Sequence, residues 1–209
     1  MKRFAPLSRL SALGIIGLMF TLVACGGSAK PTNTAAANAI PNTFVGAVPG
    51  TDALVALTTN NGTSLSYVCD SKQISTWFNG PVNANAVDVT AANGNHLKAT
   101  LAASGATGTL TIAGKDFPFT AAPATGDAGL FRAEQAVDGG KVVGGWIQTL
   151  DGQQRGSLLS PTRENRDEIT PAPRLVVTQK ASPTTWTVQT PAFGPLTVTR
   201  VVDVHDQRG

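Results

Sequence analysis

The chain has 209 residues with 16 basic and 13 acidic side chains, a formal charge of +3, and only two histidines and two cysteines. That length holds one good-sized core with a small appendage. So small a net charge makes no electrostatic case for nucleic acid, which needs a concentrated basic surface, and two histidines without ligand spacing exclude a histidine-rich metal site.

The first nine residues carry Lys2, Arg3 and Arg9 without an acid, and the following 15, Leu10 to Ala24, have no charge. A charged start followed by a short apolar run is the layout of a secretory signal peptide. As a helix the run would span about 22 Å against about 30 Å of bilayer hydrocarbon, too short for a permanent crossing. Removal of residues 1–24 takes away Lys2, Arg3 and Arg9 and leaves 13 bases against 13 acids, so the apparent basicity belongs to the leader.

Leu22, Val23, Ala24 and Cys25 end that leader. They resemble the lipobox of bacterial prolipoproteins. The resemblance implies diacylglycerol transfer to the Cys25 thiol, cleavage after Ala24, further acylation (palmitate-type chains) of the freed amine, and a lipid-anchored life on the extracytoplasmic side of a membrane in the bacterial envelope. A thiolate is the strong nucleophile such a transfer needs, and two or more acyl chains make a stable anchor where one is marginal. Gly26 stands where an aspartate would signal retention in the inner membrane of a Gram-negative cell, so the resemblance implies the outer membrane there. Residues 25–43, with few large apolar side chains, are expected to form a flexible tether reaching about 20 to 25 Å.

From residue 44 to about 160 the chain alternates short β-prone runs with turn residues, and no stretch has helical amphipathicity. Asn61-Gly62, Asn93-Gly94, the "GKD" at 114–116, the "DGG" at 138–140 and Asp151-Gly152 each mark a reversal. This rhythm predicts an all-β antiparallel meander of about eight to ten strands, closed as an up-and-down barrel, with a β-sandwich as the alternative. Alternation places Val87, Val89, Leu97, Leu101, Leu110, Ile112, Phe117 and Phe119 on one face; Asp88, Lys98, Thr100, Thr109 and Thr111 fall on the other. The meander is similar in outline to lipocalin-like and avidin-like barrels, in strand rhythm alone, so their ligands are not carried over.

Residues 161–174, rich in charge and proline, read as a linker or exposed loop. Residues 175–209 hold three more β-prone runs, expected as a small separate sheet or as strands that pack on or complete the main one.

With Cys25 lipidated, Cys69 has no partner within the chain, and its alternation with Leu65 and Tyr67 makes it a small buried hydrophobe. His96 shares a face with Lys98 and Thr100 and reads as a solvated strand residue; His205 sits in the tail. No nucleophile elbow, zinc-protease helix or phosphate loop occurs after the leader, and no cofactor is implied. Arg132 and Glu134 are two apart and share a strand face: an exposed ion pair, or a polar anchor if the face turns inward. Trp77 and Trp146 are either core or a stacking platform for a ligand. Trp77, Arg132, Glu134 and Trp146 are therefore the candidate ligand-binding residues. The expected function is a non-enzymatic binding module for a small apolar or amphipathic ligand or an envelope component. The alternative is a solid-cored structural or protein-interaction domain. An enzyme comes third, and it would need Arg132, Glu134 and Asp127 to converge.

Overall fold

The computed structural model describes residues 42–161, 167–176, 185–202 and 204; the expected lipobox with Cys25, the expected tether up to residue 41 and His205 lie outside the described residues. Eight strands form a closed antiparallel barrel: β1 (Thr43–Ala47), β2 (Leu54–Asn60), β3 (Thr63–Cys69), β4 (Ser75–Asn83), β5 (Ala86–Thr90), β6 (His96–Ala102), β7 (Gly105–Ile112) and β8 (Lys115–Pro123). Each pairs with the next in sequence, and β1 closes on β8 through Phe44↔Pro123 and Val45↔Ala122. Asn61 and Gly62 both take left-handed backbone angles, φ 48° and 76°, the twist a two-residue hairpin between right-twisted strands requires.

Alternation sorts the faces of β5 to β8 as the sequence predicts. Val87, Val89, Leu97, Leu101, Leu110 and Phe119 are buried inside the barrel with Ile112 and Phe117 packed against them, while Asp88, Lys98 and Thr100 are exposed outside. Strand β4 escapes the sequence reading because Asn79, Gly80 and Pro81 resemble a turn. They mark instead the barrel corner where β4 changes partner: Ser75 to Pro81 pair with β3, and Val82 and Asn83 with β5. A side chain at Gly80 would stand 2.3 Å from Val89 Cγ1, so the corner closes only around a glycine.

A water-sized void would leave accessible surface on its walls. Phe44, Leu57, Phe78, Val87, Leu97 and Leu110, all in one interior cluster, each have 0%. The barrel is filled by its own side chains.

The barrel closes at β8, short of the residue-160 limit set by strand rhythm, because rhythm carries no information on closure. Strands β9 (Gly129–Val137), β10 (Gly140–Gln148), β11 (Gln154–Pro161), β12 (Asp167–Pro171), β13 (Thr185–Thr190) and β14 (Gly194–Arg200) build a second antiparallel sheet in the order β12-β11-β10-β9-β14-β13. The C-terminal strands thus complete this sheet through Thr199↔Arg132 and Arg200↔Phe131. Part of the proline-rich stretch read as a linker is a strand, β12, paired with β11 from Pro161 to Ser157. One face of the second sheet gathers Phe131, Trp146, Leu158, Val188 and Val198 with Leu175 into its own core. The other covers the outside of β1 to β3, where Val45, Leu54, Leu65 and Tyr67 meet Leu130, Ile147 and Val201.

Phe78→Ala should lower stability by about 3–5 kcal/mol, since the rigid barrel wall cannot collapse into the space left. Urea unfolding followed by circular dichroism measures this, and a loss under about 1 kcal/mol would contradict a filled barrel.

Candidate functional site

Three of the four candidate residues come together where the barrel meets the second sheet. Trp77 on β4 is the register partner of Tyr67 on β3, and their rings stack with centroids 4.2 Å apart at 24°. Strand β10 crosses directly above them. A Cβ at Gly145 would stand 2.6 Å from the Tyr67 ring and 2.7 Å from that of Trp77, so only glycine lets the backbone rest there. Arg132, the register partner of Gly145, lays its guanidinium carbon 4.4 Å from the Trp77 ring centroid. Its Nε donates to Glu134 Oε1 at 3.0 Å, Nη2 donates to the same oxygen, and Lys141 Nζ meets Glu134 Oε2 at 3.0 Å.

The result is a column, Tyr67–Trp77–Arg132–Glu134–Lys141, running from buried to exposed. Its inner contacts stabilise most: about 0.5–1.5 kcal/mol for the aromatic pair and up to about 2 for the desolvated cation over indole. The outer Glu134–Lys141 pair, partly in water, adds about 0–1 kcal/mol. Burial acts to raise the Glu134 carboxyl, but hydrogen bonds from Lys141 and Arg132 outweigh it and hold the group below the usual carboxylate range.

Trp146 lies on the opposite face of β10, as its neighbour Gly145 already dictates by strand alternation. Its indole is wholly buried in a slot left by Gly144 and Gly156, where a Cβ would stand 2.6 Å from the ring. Its Nε1 donates to Pro173 O at 2.9 Å. Trp146 is core of the second sheet and takes no part in the column. Asp127 is not brought to Arg132 and Glu134 either: five residues of extended strand, about 17 Å, separate Gly129 from Glu134. Its charge acts on Arg200 instead.

The sequence reading missed a ring of three buried hydroxyls beside the column. Tyr67 Oη lies 2.8 Å from Ser157 Oγ and 3.1 Å from Ser75 Oγ, and Ser157 Oγ donates to Ser75 Oγ at 2.6 Å. Each can donate one bond and accept another, so the ring satisfies itself while tying β3 and β4 of the barrel to β11. Burial pushes the Tyr67 phenol and the adjacent Cys69 thiol above their ordinary values, so both stay protonated. No carboxylate or histidine among the described residues bonds to this ring, which leaves its hydroxyls without a base. Ser75 and Ser157 gave no signal in sequence because 82 residues separate them.

His96, half-buried, carries more than solvent: its Nε2 lies 2.6 Å from Asp88 Oδ1 across the β5–β6 pair, and Lys98 Nζ lies 3.4 Å from Asp88 Oδ2. Among the described residues no group of His, Cys, Asp or Glu side chains could hold a metal ion. Surface depressions of about 370 Å³ at the Asn61 end of the barrel and about 400 Å³ over the Thr100 and Thr107 side of β6 and β7 are lined by uncharged residues. No protein-family model, curated protein or solved structure matches the chain.

Two substitutions test the column. Gly145→Val should cost about 1–3 kcal/mol by overpacking and change the near-ultraviolet circular dichroism of Trp77 and Tyr67; an unchanged spectrum would mean the backbone does not rest on the rings. A carboxyl depressed in the folded state contributes stability that is present above its unfolded value and lost as pH falls through the folded one. Glu134→Gln should therefore be less stable than the parent at pH 7, with the two converging in the acid range below about pH 4. Parallel stability curves at every pH would show that Glu134 is not held charged by Arg132 and Lys141.

Proposed function

We propose that the chain is an envelope lipoprotein, held to a membrane by acyl chains on Cys25, whose β body works as a protein-interaction or structural domain through its outer surface. The observation that carries the second half is the filled barrel. A module that encloses a small apolar ligand needs a void, and Phe44, Phe78 and Leu110 occupy the place where one would be. The filled interior favours the solid-core reading over the ligand-holding one. Support for the first half is the order of charged start, apolar run, Leu22-Val23-Ala24-Cys25 and polar tether.

The hairpin barrel, backed by a second sheet, suits a displayed body. Its interior face is spent on its own stability, so recognition falls to loops and outward strand faces, where the tether leaves it accessible.

The test has two arms. Membrane-extracted protein should have an intact mass that begins at Cys25 and includes acyl chains, and Cys25→Ala should move the protein out of the membrane fraction. Native mass spectrometry of the same preparation, with a fluorescent fatty-acid analogue titrated in, should show no saturable apolar ligand. An unmodified thiol, or a retained leader, would overturn the anchor. One-to-one uptake of the fatty acid that is lost in Phe78→Trp would overturn the solid-core reading.

A further inference from the structure

A third depression, of about 310 Å³, lies at the start of β11 and is lined by Gly152, Gln153, Gln154, Arg155, Ala172 and Arg174. It differs from the other two in holding two guanidinium groups. Neither Arg155 nor Arg174 makes an ion pair with a carboxylate among the described residues.

Arg155 is held in place by neutral groups, and for Arg174 it is the flanking backbone that is held. Arg155 Nε donates to Asp52 O at 3.0 Å and its Nη1 to Gln154 O at 3.0 Å, and Nη2 has no hydrogen-bond partner among the described residues. Of the nearby acids, Asp52 is engaged by Lys72 Nζ at 2.7 Å, and Asp151, next to Gly152, accepts from Gln153 Nε2 at 2.7 Å. Arg174 is exposed, but its backbone is clamped on either side. Trp146 Nε1 fixes Pro173 O, and the Gln154 amide takes Leu175 N at 2.8 Å and gives to Leu175 O at 2.9 Å. The Gln154 side chain thus behaves as one more rung of strand pairing, and the buried Trp146 acts at a distance by holding the strap that carries Arg174.

We propose that this depression binds a phosphate group. Two guanidinium groups lining one concavity, Arg155 fixed with its Nη2 to spare and Arg174 carried on a clamped strap, match the multiple oxygens and the charge of about −2 of a phosphate monoester. The Arg155 end lies beside the loop after β1, and Asn42, where the chain enters the barrel, lies by the Asn61 turn at the other end. The phosphate therefore comes to a surface remote from the point of entry. The site stands independently of the Cys25 anchor.

The experiment uses the full chain carrying Cys25→Ala, which takes no acyl anchor, with inorganic phosphate as probe and amide NMR shifts as readout, run beside flotation with vesicles containing phosphatidic acid, whose headgroup is a phosphate monoester. Phosphate should bind saturably at one site, with shifts confined to residues 152–155 and 172–175. Arg174→Gln, an exposed change that leaves the clamp intact, should weaken it at least tenfold; Lys98→Gln, on the barrel's outer face, should not. Phosphate binding with no arginine-dependent gain in flotation assigns the ligand to solution, and flotation that falls in Arg174→Gln assigns it to lipid headgroups. Absence of saturable shifts, or equal weakening by Lys98→Gln, would overturn the site and leave the lipoprotein reading untouched.

Discussion

Strands β2 and β3 carry apolar side chains on both faces, and such a barrel cannot stand alone in water. Along β3, Val68 turns inward while Leu65, Tyr67 and Cys69 turn outward, and all four are buried. A large aliphatic side chain gains about 1.5–3 kcal/mol on leaving water, so the outer row demands a cover. The second sheet is that cover. Leu130 and Ile147 meet the apolar row, Gly145 rests on the rings of Tyr67 and Trp77, and the hydroxyl ring fixes the register between layers. Hydrophobic burial alone is indifferent to a slide of one residue; the three hydroxyls are not, since a slip would leave each buried without a partner.

The same constraint decides what became of the candidate residues. Trp77 and Arg132 are brought together because the covering sheet must cross the Tyr67–Trp77 pair, and a planar cation is a group that tolerates both an aromatic face and a nearby carboxylate. Trp146 faces away because β10 alternates, and there it organises a second core. Two tryptophans that look equivalent in sequence thus serve opposite sides of one strand. The column and the slot are structural devices.

The barrel was legible wherever one face meets water. From β5 to β8 the alternation of Val87, Asp88 and Val89, or of Leu97, Lys98 and Ala99, assigned inside and outside correctly, and turn pairs such as Asn61-Gly62 set the hairpins. Legibility failed where that contrast disappears. "ALVALTT" and "LSYVC" are apolar without period because both faces are covered, a pattern that itself signals a third layer. Strand β4 was obscured by Gly80 and Pro81, which serve a corner, and β12 by the prolines around it. Within the site, the Arg132–Glu134 pair followed from spacing of two. Its contact with Trp77, and the meeting of Ser75 with Ser157, depend on layer packing that no local pattern encodes.

The chain enters the barrel through β1, which is zipped to β2 on one side and β8 on the other, with Asn42 O already accepting from Thr59 N at 2.7 Å. Traction applied at Asn42 against the opposite end of β1 would load that strand along its axis. Traction of that kind shears two ladders at once, in place of peeling one rung after another. Entry through a doubly paired strand, and not through a sheet margin such as β13, gives the barrel its resistance to being pulled open.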